Sequence, residues 1–192
     1  TNAQSRSFEE NLRKVNIPYR IYGGQSFYQR KEIKDLIAYF RLTANPRDDE
    51  ALRRIINYPV RGIGNTTLDR LFAAAQEREM GVYDLLTLGE QPETIKKAAW
   101  TKIQEFTEMM KGFYADLDKL SAHALGLQIA KRTGLVHTLY TDKTPEGVAR
   151  YDNIQELLNG LQSFCETEDS ENPESVRSLS DFLLDVAMLT DA

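Results

Sequence analysis

Pro59-Val60-Arg61-Gly62-Ile63-Gly64-Asn65-Thr66-Thr67 joins two segments with helical patterning, and its reading decides what kind of domain this is. Before it, Asp49-Glu50-Ala51-Leu52-Arg53-Arg54-Ile55-Ile56 reads as a helix; after it, Leu68-Asp69-Arg70-Leu71-Phe72 opens another, extending to about Met80. Glycines in such a turn let the backbone pass close to another surface, and a helix start carries amides with no intrahelical acceptor. Phosphate suits those amides, because the helix dipole adds positive potential there. Thr66 with Asp69 fits capping-box spacing, and Asn65 is a second candidate cap. One reading has Gly64 to Thr67 and the two threonine hydroxyls gripping a DNA phosphate with Arg61 adding charge. The other has an ordinary helix corner in which Ile63 plugs the core.

Outward from the turn, helical spacing dominates. Phe8, Leu12 and Val15 share a helical face, and Ile17 to Tyr22 then alternates as a strand does, ending at Gly23-Gly24. Ile33, Leu36, Ile37, Phe40 and Leu42 form a stripe that stops before the breaker pair Asn45-Pro46. Further helices are predicted over Val82 to Leu88, Glu93 to Leu120, Ala122 to Thr133 with Gly134 as terminator, Gly147 to Glu166, and Leu179 to Leu189. The predicted fold is therefore mainly all-α: an irregular multi-helix domain with a helix-hairpin-helix-like Gly-Ile-Gly element and one short N-terminal strand. Trp100, Phe106, Phe113 and Tyr114 are read as core. The acidic run Glu166, Glu168, Asp169, Glu171 and Glu174 is read as a solvated loop.

The 192 residues are 41% hydrophobic and 28% charged, enough for one sizeable core. Residues 1–70 carry 13 Lys and Arg against 8 Asp and Glu, whereas the rest carry 11 against 21. The turn thus lies in the basic part of an acidic chain, and a local basic face suffices for phosphate binding. A second basic cluster, Arg30, Lys31 and Lys34, falls at a helix start, where cations oppose the dipole; Glu32 and Asp35 stand ready to pair with it. Cys165 is a single cysteine, and His123 and His137 lack metal-pair spacing, so no metal site is expected. No Gly-x-x-x-x-Gly-Lys-Ser/Thr loop is present, so no nucleotide hydrolysis is expected from this chain alone. The absence of an initiating Met predicts a piece of a longer protein.

Four blocks in order resemble the UvrD/PcrA/Rep helicases of superfamily 1. They are Thr1 to Arg6; Pro18 to Gly24 with Phe27, Arg30 and Glu32-Ile33-Lys34-Asp35; Arg61-Gly62-Ile63-Gly64 with Thr67-Leu68-Asp69; and Arg150 to Leu157. The resemblance implies that residues 1–22 are an edge of motor domain 2A. It makes residues 23–192 the mobile accessory subdomain 2B, which touches duplex ahead of the fork. Carried over by position, Asn2 matches a single-strand contact, and Lys34, Gly62, Ile63, Gly64, Thr66 and Thr67 match duplex-contacting elements. Arg30, Arg41 and Arg61 are added as phosphate contacts on charge. The nucleotide loop, the Mg-coordinating acidic box and the γ-phosphate arginines are missing, so ATP and Mg are expected to belong to the parent protein. That parent is expected to be a cytoplasmic, nucleoid-associated bacterial 3′-to-5′ DNA helicase acting in repair or replication. Its other domains, duplex DNA and the single-strand/double-strand junction are the implied partners, with repair proteins besides. The competing reading is a helical protein-interaction module contacting repair partners through the acidic two-thirds.

Overall fold

The computed structural model describes residues 24–167 and 176–190, and ten helices account for 74% of it with no strand among the described residues. They are α1 (Gly24–Tyr28), α2 (Lys31–Ala44), α3 (Asp49–Ile55), α4 (Asn65–Glu77), α5 (Val82–Leu88), α6 (Lys97–Asp116), α7 (Ala122–Arg132), α8 (Leu135–Thr141), α9 (Pro145–Glu166) and α10 (Leu179–Thr190). The all-α expectation holds. The strand read over Ile17 to Tyr22, and Asn2, lie outside the described residues, as does the acidic run beyond Glu166.

Local chemistry sets several boundaries. Asp48, Ser121 and Thr144 each accept a hydrogen bond from the amide three residues on, at 3.0 to 3.1 Å, and so begin α3, α7 and α9. Pro145 follows Thr144 at the first position of α9, where its missing N–H costs nothing. Gly89 and Gly134, both at positive φ, stop α5 and follow α7. The helix read from Glu93 starts instead at Lys97, with Ile95 buried in the preceding turn.

The stripe of α2 buries Ile33, Leu36, Tyr39, Phe40 and Leu42. Because this helix is buried on more than one side, it packs against α1, α3, α6, α7, α9 and α10 and forms the hub of the domain. Around it, α6 contributes Trp100, Ile103, Phe106, Met110 and Phe113, while α7 and α9 add Leu125, Ile129, Leu157 and Leu161. Tyr114 departs from its predicted core role and is 52% exposed, one position past Phe113 and off the buried stripe. The short helix α8 has no distinct period in the sequence; burial of Leu135 and Leu139 against α9 and α7 holds it.

Two sequence blocks that lie far apart meet on α2 and α9. Asn153 donates to Glu32 Oε1 at 2.9 Å and accepts from Arg30 Nη1 at 2.9 Å, with Asn153 and Glu32 both buried. A buried polar group is costly unless its bonds are made, so this triad fixes the register of α9 on the start of α2. No helix among the described residues is long and apolar enough to cross a membrane.

Candidate nucleic-acid interface

The turn between α3 and α4 is built by groups that point inward. Asn57 Oδ1 accepts from the amides of Arg61 at 2.9 Å and Ile63 at 3.0 Å, which fixes the chain as it doubles back. The Ile63 side chain is fully buried, an anchor that contributes about 1.5–3 kcal/mol. The side chain is thus the core plug of the alternative reading, and it is not available for the duplex contact that the resemblance implies for this residue.

Arg61 also turns inward. Its Nη1 donates to the carbonyls of Ile55 at 3.0 Å and Ile56 at 3.2 Å, and Nη2 donates to Thr133 O at 3.1 Å and Tyr39 Oη at 2.7 Å. Ile55 and Ile56 end α3, and Thr133 ends α7. One guanidinium therefore caps the C-terminal carbonyls of two helices, where acceptors are unsatisfied and the dipole favours a cation. Tyr39 completes the knot by donating to Tyr58 O at 2.5 Å. Burial pushes the Tyr39 pKa up to about 12 despite the nearby Arg61, so it remains a protonated donor at neutral pH. The four donor bonds of Arg61 leave it a structural clamp rather than the free phosphate cation read from the sequence.

What the clamp leaves exposed is Gly62 and the segment from Gly64 to Thr66, with Ile63 buried between them and Thr67 half-buried. Gly62 has φ +79°, a conformation that favours glycine, and it is exposed. Gly64, at φ −76° and ψ 169°, is the N-cap of α4, and a Cβ there would meet nothing within 4 Å. The fold itself gives no reason for glycine at this position. Neither Asn65 nor Thr66 caps the helix, which corrects the capping-box expectation: the helix starts one turn position earlier, and Asp69 bonds Arg53 on α3 at 2.5 Å instead. The amides of Asn65, Thr66 and Thr67 and the two threonine hydroxyls consequently have no acceptor or donor partner among the described residues.

The second basic cluster is mostly consumed internally. Asp35, buried on α2, accepts from Lys31 at 2.7 Å and from Arg54 of α3 at 2.9 Å, while Arg41 pairs with Asp48 at 2.9 Å. Arg30 is held by Asn153, as described. Lys34 differs: it is exposed, without an ion pair among the described residues, at the side of a cleft of about 630 Å³ bounded by α2, α3 and α10. Of the sequence-predicted residues, then, Lys34, Gly62, Gly64 and Thr66 are exposed and Thr67 is half-buried, and the side chains of Lys34, Thr66 and Thr67 have no partner among the described residues. Arg30, Arg41 and Arg61 are engaged within the fold.

One cation escaped the sequence reading. Lys102 of α6 places its ammonium against Gly62, so close that a Cβ on that glycine would lie 2.5 Å from Nζ. Forty residues separate the pair, and no linear spacing signals the contact.

The model of the UvrD-like helicase C-terminal domain family matches residues 1–192. An ATP-dependent DNA helicase PcrA from Leuconostoc citreum is 36% identical over 191 residues, covering 100% of this chain and 26% of that protein. A DNA helicase II from Haemophilus influenzae is 36% identical over 183 residues, covering 95% of this chain and 25% of that protein. The Escherichia coli K12 DNA helicase II is 34% identical over 172 residues, with 90% and 24% covered. The chain spans about a quarter of the length of these curated relatives. Matched along its whole length, it belongs to the UvrD-like helicase C-terminal domain family.

Proposed function

We propose that residues 23–192 form the 2B accessory subdomain of an ATP-dependent 3′-to-5′ DNA helicase, with residues 1–22 an edge of motor domain 2A, and that the subdomain grips duplex backbone without reading sequence. The observation that carries this reading is the outward turn from Gly62 to Thr67. It joins a helix start with unpaired amides and hydroxyls to a glycine at 64 that intramolecular packing does not require. Bonds from such groups to phosphate position a duplex and carry no base information. The insertion reading is supported by the packing of α1 against α10, which brings the two ends of the described chain together, as an inserted unit needs.

The roles divide as follows. Gly64, Thr66 and Thr67 supply backbone amides and hydroxyls, Gly62 and Ile63 shape the turn, and Lys34 adds charge from α2. Arg30, Arg41 and Arg61 hold the scaffold. Asn2 is assigned to the single strand. The residues described here do not fit a nucleotide or its metal: no phosphate-binding loop occurs in the sequence, and no group of three His, Cys, Asp or Glu gathers among the described residues. ATP and Mg are therefore assigned to the remainder of the longer protein, and no step through them is derived from this chain.

Salt titration of duplex binding tests the reading. A patch of this size predicts a log–log slope of roughly −2 to −4, near −0.9 for each phosphate neutralised. Fluorescence anisotropy with a blunt DNA duplex measures it; absence of binding even at low salt rejects the duplex role and favours a protein-interaction module.

A further inference from the structure

Glu32-Ile33-Lys34-Asp35 carries three charges, and the fold buries the two carboxylates: Glu32 is 5% exposed and Asp35 2%, while Lys34 between them is exposed. Each carboxylate is held from a different side. Asp35 accepts from Lys31 Nζ on one oxygen at 2.7 Å and from Arg54 Nε of α3 on the other at 2.9 Å. Glu32 Oε1 accepts from Asn153 Nδ2 of α9 at 2.9 Å, and its side chain has no other bond among the described residues. Asn153 Oδ1 in turn accepts from Arg30 Nη1 at 2.9 Å, and the Arg30 carbonyl accepts the Lys34 amide at 2.9 Å.

A buried charged group adds little to stability over an apolar residue of the same shape, because desolvation offsets what its bonds return; its best-attested use is to fix register. Here the two anchors fix the rotation of α2. Residues 32 and 35 share a side of a helix with about 3.6 residues per turn, and residue 34 falls on the other. Released from Asn153, the Glu32 carboxylate reaches water only by turning or unwinding the first turn of α2, and Lys34 moves with it. Glu50 of α3 lines the same cleft as Lys34, with no ion pair between them among the described residues. We infer that Asn153 is a positioning residue for duplex binding: through Glu32 and Arg30 it aims the Lys34 ammonium at the phosphate backbone. This rests on the duplex reading above, in which Lys34 supplies charge, and it gives a role to the Arg150 to Leu157 block.

A double-mutant cycle in the full chain tests it. Binding of a blunt DNA duplex is followed by anisotropy between about 50 and about 200 mM salt, where each phosphate contact contributes near 0.9 to the log–log slope. Lys34→Met alone is expected to make the slope shallower by about 0.9. Glu32→Met combined with Asn153→Leu exchanges the buried polar pair for apolar side chains of similar volume. Because both partners leave together, the melting temperature is expected to stay near that of the wild type, while the slope becomes shallower by the same amount as in Lys34→Met. Adding Lys34→Met to that pair is expected to change the slope no further. Glu32→Gln, which keeps the acceptor for Asn153, is expected to retain the wild-type slope. Asn153→Ala, read below its own melting transition, carries the same cycle should the pair not fold. A wild-type slope in the pair variant or in Asn153→Ala, with Lys34→Met still subtracting about 0.9 in that background, overturns the inference and leaves the duplex reading standing. A Lys34→Met slope equal to wild type, as a lysine held by Glu50 would give, also overturns it. Failure of the wild-type chain to bind duplex overturns both.

Discussion

Gly64→Asp is expected to make the protein slightly more stable and nearly unable to hold duplex DNA. The opposite signs are the point. Gly64 is the N-cap of α4, in extended backbone that any residue adopts, with no atom within 4 Å of a Cβ placed there. Asp is among the best N-cap residues and improves on Gly by a few tenths of a kcal/mol, with a carboxylate favourably placed at the positive end of the helix. The same carboxylate takes the amides offered to phosphate and repels the phosphate itself, a combination expected to weaken duplex affinity by about 100-fold, or about 2.7 kcal/mol. Gly64→Val isolates the steric part: it loses cap preference at about 1 kcal/mol and reduces affinity about tenfold by holding the duplex off the backbone. Melting and duplex binding measured on the same samples check both. Loss of affinity that tracks loss of helix would instead make the turn a purely structural corner.

Arg61→Ala carries the largest expected effect on stability. Removing the guanidinium leaves the carbonyls of Ile56 and Thr133 without the donor it supplies, takes one of three donors from the Ile55 carbonyl, and takes a donor from the Tyr39 hydroxyl. Each buried polar group left unsatisfied costs about 1–3 kcal/mol, and partial access of water lowers the sum, so a loss of about 3–5 kcal/mol is expected. For a chain of this length that corresponds to a melting temperature lower by about 10 °C or more. Arg61→Lys is expected to recover only part, because an ammonium cannot span two helix ends as the planar fork does. Thermal denaturation by circular dichroism reads the difference. An Arg61 acting mainly on phosphate predicts the reverse pattern, with an unchanged melting temperature and a salt slope shallower by about one contact.

The clamp also shows where sequence reasoning stops. Helix stripes were legible because burial follows a 3.6-residue period: Ile33, Leu36 and Phe40 on α2, and Ile103, Phe106, Met110 and Phe113 on α6, all lie in the core. The turn was legible because Gly-Ile-Gly between two such stripes has few alternative uses. Direction was not legible. Arg61 stands beside Gly62 in a basic stretch, and nothing local reveals that acceptors at residues 55, 56 and 133 draw it inward. Arg30 reads as a phosphate contact and Glu32 as a local partner of the basic cluster, yet Asn153, more than a hundred residues away, pairs with both. Lys102 was passed over for the same reason in reverse, since its relevance depends on where α6 crosses the turn. Composition and period determine which residues are buried; which polar atoms meet is decided by long-range packing.

The proposed grip on duplex backbone lies at the start of α4. It is tested most directly by following backbone amide resonances of the full chain as a blunt DNA duplex is added. The largest shifts are expected at the amides of Asn65, Thr66 and Thr67, with smaller ones at Gly62 and Gly64, all weakening as salt is raised. Shifts confined to α9 and α10, with the Gly62 to Thr67 amides unmoved, would mean that duplex is held elsewhere.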